Sequence, residues 1–120
     1  MSSKARGGIA LICSPYAGDT ERNVAYAKSL SRHALELGYA PVAYHLILPT
    51  FLEDSQENRA LALGCVDKTL LVCDIVLVGI DYGISEGMAN EIRLAEELHV
   101  EIEPVRLYEG DVDGPLPSPA

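Results

Sequence analysis

Apolar positions in this chain follow two rhythms. Short unbroken runs, rich in β-branched residues, alternate with longer stretches in which apolar residues return every third or fourth place. The clearest run, Ile75 to Val78, is of the kind that forms a strand buried on both faces. Gly8 to Cys13 predicts a first strand and Val100 to Leu107 a fourth. Pro41 to Leu46 predicts a short second strand near a sheet edge, because proline removes a ladder donor. Helical periods lie between them. One helix, capped by Thr20 or Asp19, turns Ala27, Leu30, Ala34 and Leu37 to one side and stops at Gly38. A second runs from Ser55 or Asn58 to Cys73 with Leu63, Val66, Leu70 and Cys73 inward. A third follows the N-cap Ser85 and continues to about His99.

Strands alternating with helices predict an α/β domain: a small doubly wound parallel sheet of about four or five strands with helices on both faces. Right-handed crossovers give the strand order 2-1-3-4, flavodoxin-like or Rossmann-like. That order sets the loops after strands one and three, Ser14 to Asp19 and Asp81 to Ser85, side by side at the switch point, where ligands bind in such sheets.

Two acids interrupt the apolar faces. On a helical wheel Met88, Ile92, Ala95 and Leu98 define the side of the last helix that meets the sheet, and Glu91 falls among them. Glu86, Arg93 and Glu97 point the opposite way. A carboxylate on an apolar face is costly to bury without a partner, so Glu91 is a candidate acid, base or nucleophile. The plainer alternative places it at a wet rim, or near the positive start of its helix. Asp67 lies at the edge of the preceding helix's stripe, between Leu63 and Leu70, as a second acid in a semi-buried position. The segment Ile47 to Glu57 holds an apolar loop, Leu-Pro-Thr-Phe-Leu, which suits a lid or a subunit contact.

Composition narrows the partners. The chain has 120 residues, 48% of them hydrophobic, enough for one domain over 1–109 with a loose tail over 110–120. A net charge of −9 argues against a protein that tracks nucleic-acid backbones, while a small ligand held by backbone amides remains open. Apolar runs are of strand length and Met1 to Gly8 lacks the apolar core of a signal peptide, which predicts a cytoplasmic protein without a membrane span. Cys13, Cys65 and Cys73 are an odd number in apolar surroundings and read as reduced core cysteines. Gly79-Ile-Asp-Tyr-Gly is not a dinucleotide fingerprint, and no Walker lysine follows a Gly-rich loop. His33, His45 and His99 are scattered without zinc spacing, so no metal and no cofactor are expected. His33 and His99 read as solvent-facing. His45, at the end of strand two on the ligand edge, could contact a base or a phosphate, or be an ordinary strand-end histidine. Ser14 has no triad partners.

Taken together, the loop Ser14-Pro-Tyr-Ala-Gly18, the pair Tyr44-His45, Asp67 ahead of Cys73-Asp-Ile-Val-Leu-Val78, and Ser85-x-Gly87-Met88-x-x-Glu91 resemble the nucleoside 2-deoxyribosyltransferase superfamily. That superfamily includes the 2′-deoxynucleoside 5′-phosphate N-hydrolases, and the chain is most similar to its small phage and prophage members. The resemblance covers about Ile9 to Val105, and the serine-glycine-glutamate block is its most specific part. It implies Glu91 as a nucleophile that attacks the anomeric carbon and forms a glycosyl ester. It implies Asp67 as the acid assisting departure of the base, Tyr16 as the residue orienting the nucleophile, and Ser85 as a binder of a 5′-phosphate. Ser14, Gly18, His45, Gly87 and Met88 are implied as further substrate contacts. The substrate would be a nucleoside or a nucleoside 5′-monophosphate, and the protein a homo-oligomer, a dimer or higher.

The Asp67 to Asp74 interval is one residue shorter than the family spacing, which leaves open an Asp67 turned from the cleft. The strand-one loop also lacks the arginine found in phosphate-specific relatives. Three classes of function stay in view. The first is an N-glycosidase or deoxyribosyl transferase acting through Glu91, the second a nucleotide-sequestering protein with the same cleft, and the third an assembly protein using its acidic surface.

Overall fold

The computed structural model describes residues 7–108. The chain runs β1 (Ile9–Cys13), α1 (Thr20–Glu36), β2 (Ala40–Val42), α2 (Tyr44–Ile47), a 3-10 turn (Leu48–Thr50), α3 (Gln56–Leu70), β3 (Ile75–Gly79), α4 (Glu86–Glu97) and β4 (Glu101–Val105). The strands form one four-stranded, all-parallel sheet in the order β2-β1-β3-β4. This is the order that the alternating periods predict, and the fold is flavodoxin-like.

Side-chain alternation on the central strands divides the core in two. Ala10 and Ile12 of β1, with Ile75 and Leu77 of β3, pack against Tyr26, Leu30 and Ala34 of α1. Leu11 and Cys13, with Val76 and Val78, pack against Val66 and Leu70 of α3 and Met88 and Ala95 of α4. Every residue of β3 is buried, as a strand covered on both faces must be. Gly79 ends that strand where α1 presses closest: a Cβ there would lie 2.6 Å from both Leu30 Cδ1 and Tyr26 Oη. Of the two candidate caps for α1, Asp19 is the one used, its carboxylate accepting from the Arg22 N–H at 3.0 Å. Gly38, at φ 98°, takes the left-handed turn that releases the chain into β2.

Several expected boundaries shift. The second strand was expected over Pro41 to Leu46 and covers only Ala40–Val42. The following apolar residues close the end of the sheet instead of extending its edge: Leu46 packs on the α1 cluster, Tyr44 on the α3/α4 cluster, and the Leu46 N–H turns back to the Ala43 carbonyl. His45 therefore sits on the helical turn α2 and not at a strand end. The helix expected to run to Cys73 is α3 and stops at Leu70, so Cys73 lies beyond it, and the one expected to run to about His99 is α4 and stops at Glu97. Leu98, expected against the sheet, is 39% exposed because it is already the C-cap residue. His99 follows at φ 59° and turns the chain toward β4, which starts at Glu101 and not at Val100. The expected tail over 110–120 lies outside the described residues. Among those residues no helix is long and apolar enough to cross a membrane.

Candidate functional site

At the carboxyl edge of the sheet, β1 and β3 each lead into a loop before a helix begins. The β1 loop is held from below. Asn23, buried on α1, donates its side-chain amide to the carbonyls of Tyr16 and Ala17, both at 3.0 Å, and its Oδ1 accepts from the Arg22 guanidinium. Beyond β3, Ser85 caps α4: its Oγ accepts from the Met88 N–H at 3.2 Å, while its own N–H points at the Met88 sulfur. Between these loops, α2, the 3-10 turn, the first half of α3 and the first turns of α4 enclose a cavity of about 650 Å³. That volume suits a ligand of nucleoside size.

Glu91 lies in this cavity, half-buried, on the side of α4 that the helical wheel indicates. Burial raises its carboxyl to about 7, with a hydrogen bond from the Cys13 thiol pulling in the opposite direction. Cys13, the last residue of β1, lies outside the cavity lining and interacts with Glu91. It is fully buried, its sulfur is 3.8 Å from the Met88 carbonyl, and burial, followed by the neighbouring Glu91 charge, pushes the thiol well above its ordinary value. The thiol therefore stays protonated and donates. Across the cavity the rings of Tyr16 and His45 lie 5.0 Å apart at a 40° tilt. Burial lowers His45 to about 4, which leaves the imidazole neutral at ordinary pH. Tyr44, also in the lining, shares a hydrogen bond with Thr69 of α3 through its hydroxyl.

Of the residues singled out in the sequence, Ser14, Tyr16, His45, Ser85, Gly87, Met88 and Glu91 line the cavity. Gly18 and Asp67 do not. Gly18 is an exposed residue at φ 98° that shapes the β1 loop. Asp67 was expected to be semi-buried and is exposed. The buried stripe of α3 is Val66, Thr69 and Leu70, whereas Leu63 faces the cavity and is 37% exposed; the stripe is therefore rotated from the expected one and leaves Asp67 in solvent.

Three polar residues that position the site were not singled out in the sequence. Asn23 could have been found as a polar position one turn before Ala27 on the apolar face of α1, and Cys13 from its alternation with Leu11. The third, Asp81, lies in the loop assigned to the cleft but turns away from it. Its buried carboxylate accepts from the Tyr26 hydroxyl at 2.6 Å and from the backbone of Leu107 and Tyr108, tying the end of β3 to α1 and to the chain leaving β4. No short-range pattern marks that role, because the partners lie 55, 26 and 27 residues away.

Among the described residues no group of three or more His, Cys, Asp or Glu could hold a metal ion. No curated protein matches the chain. A family model does match, over residues 8–105, from the residue before β1 to the end of β4, and the chain thus belongs to the family described as Domain of unknown function (DUF7768).

Proposed function

We propose that the cavity cleaves the N-glycosidic bond of a nucleoside or nucleoside 5′-monophosphate, by hydrolysis or by transfer of the sugar to another base, with Glu91 as the nucleophile. The observation that carries this reading is a single half-buried carboxyl, raised to about 7, on the wall of a cavity of about 650 Å³ lined by aromatic rings. The resemblance of the Ser85 to Glu91 block to the nucleoside 2-deoxyribosyltransferase superfamily supports it independently.

The chemistry suits the residue types. Breaking a bond between C1′ and a base nitrogen passes through an oxocarbenium-like state, for which a carboxylate against the sugar is the natural stabiliser. Once ionised, Glu91 attacks C1′, the base departs with the bonding electrons, and the sugar is held as an ester until water or an acceptor base takes it. In this reading the packed pair Tyr16 and His45 flanks the base from one side, and the exposed backbone around Gly87 meets the sugar.

A second reading rests on the position of Asp67. With that acid in solvent, the cavity lacks the residue expected to protonate the leaving base, and a protein that only binds and sequesters a nucleotide would need none. The apolar loop offers an assembly contact for either reading, since Phe51 beside the cavity mouth is 69% exposed. We place the protein in the cytoplasm, as a homo-oligomer, on the same terms.

The deciding experiment incubates the protein with nucleosides and their 5′-monophosphates, ribo and deoxy, with and without an acceptor base, and follows free base by chromatography. Base release that falls roughly a thousandfold or more in Glu91→Gln supports the enzyme. Release that persists in the variant removes Glu91 as nucleophile. No release, together with a raised melting temperature in the same compounds, favours the binding protein.

A further inference from the structure

The cavity's charge says more about its ligand than its shape does. Among the described residues its lining holds the carboxylates Glu53, Asp54, Glu86 and Glu91 against a single guanidinium, that of Arg59. Arg59 is already committed: it forms a two-pronged pair with Asp54, at 2.8 and 3.0 Å. The other basic side chain of the lining, His45, is held neutral by burial. Glu53, Glu86 and Glu91 are left without a cationic partner in the lining, so the field across the cavity favours a cation and opposes a phosphate.

The start of α4, which would attract an anion, is partly occupied. The Ser85 hydroxyl accepts the Met88 N–H, the Ser85 N–H is directed to the Met88 sulfur, and Glu86 already places a carboxylate in the first turn. The aromatic side chains Tyr16 and Tyr44, with the neutral ring of His45, supply π-faces on which a cationic ring is held better than a neutral one. The missing acid points the same way. With Asp67 outside the cavity, a neutral base would have to leave without a proton, whereas a ring nitrogen that begins with a positive charge leaves as a neutral molecule.

Resting on Glu91 as the nucleophile, we infer that the cavity selects an N-glycoside whose base already carries positive charge and whose sugar carries no phosphate, an N-ribosylpyridinium being the simplest. The Glu91 carboxylate forms a bond to C1′ as the bond from C1′ to the ring nitrogen breaks, and the electron pair of that bond moves onto the ring and cancels its charge. Water then attacks C1′, the carboxylate is released, the oxygen stays on the sugar and the remaining proton passes to solvent.

Nicotinamide riboside and its reduced, uncharged dihydro form have nearly the same size and differ in charge, and nicotinamide mononucleotide adds a 5′-phosphate to the same frame, which makes the three the test. Binding is measured by calorimetry on Glu91→Gln, where turnover does not interfere, and nicotinamide release on the unaltered protein. The cationic riboside should bind at least tenfold more tightly than the dihydro form, and the mononucleotide more weakly than the riboside. The gap should close to less than threefold in Glu53→Gln/Glu86→Gln, whose substitutions are at exposed positions. Equal or tighter binding of the dihydro form or the mononucleotide overturns the inference and leaves the role of Glu91 standing. Selective binding with release unchanged in Glu91→Gln does the reverse, removing the nucleophile and keeping the charge preference. No binding of any of the three overturns the inference whatever other glycosides the protein cleaves.

Discussion

The two faces of the sheet bury charge in opposite ways. On the α1 face, Asp81 is completely buried yet stays ionised: burial works against it, but hydrogen bonds from Leu107, Tyr26 and Tyr108, with Arg106 nearby, hold the carboxyl below its ordinary value. The surrounding Tyr26, Tyr82 and Tyr108 rings pack on one another, and the Arg22 guanidinium lies 4.0 Å over the Tyr82 ring. On the α3/α4 face, desolvation raises Glu91 to about 7, and a weak donor, the Cys13 thiol, offsets only part of that rise. A buried acid whose hydrogen bonds are satisfied stabilises a fold. One that is left short stores free energy that a ligand can release.

That contrast can be broken from either side. The largest effect is expected from Asp81→Ala, which strips three backbone and hydroxyl partners at once and should cost about 3 kcal/mol or more in urea unfolding; a loss under about 1 kcal/mol would mean that the network is ornamental. Glu91→Gln should act in the other direction. Between the ordinary 4.5 and the folded value of about 7, the folded chain keeps a proton that the unfolded chain has lost, so stability falls as pH rises through that window. The variant removes this slope and should be more stable than the parent by about 3 kcal/mol at pH ~8, with no difference near pH ~4. Asp81 has the reverse slope: its contribution is present above the ordinary 3.8 and is lost as pH falls below that value. Melting temperatures of the parent and both variants across this range would separate the two faces. The smallest effect is expected from Gly87→Ala. A Cβ there meets nothing within 4 Å, so unfolding should change by less than about 0.5 kcal/mol, while ligand binding weakens if the substrate lies against that backbone. Unchanged affinity would move the ligand away from the start of α4.

The sheet order was legible because Ile75 to Val78 and Gly8 to Cys13 are apolar through and through, a signal that only doubly covered strands give. Glu91 was legible for a local reason as well, since an acid on an apolar helical face shows on a wheel. Asp67 misled by the same method. Wheel positions assume that the stripe is centred on the core, and α3 instead divides its apolar residues between core and cavity, Val66 and Leu70 on one side and Leu63 on the other. The end of the second strand failed for a related reason, since a run such as Tyr44 to Leu48 has no period that distinguishes an edge strand from a turn plugging the sheet's end. Asp81 was beyond local reading altogether, because its meaning depends on where α1 and the chain after β4 come to rest.

The two outer strands carry one further consequence. The Ala40 N–H reaches inward to the Gly8 carbonyl, and the Val105 carbonyl accepts inward from Ile80, so the neighbouring Pro41 and Pro104 present their missing N–H groups outward. Both rims of the sheet are thus interrupted in mid-strand where another chain would have to pair. Among the described residues the outer strands are therefore poor templates for ribbons or fibrils grown by strand addition, which favours the helices and loops as contact surfaces.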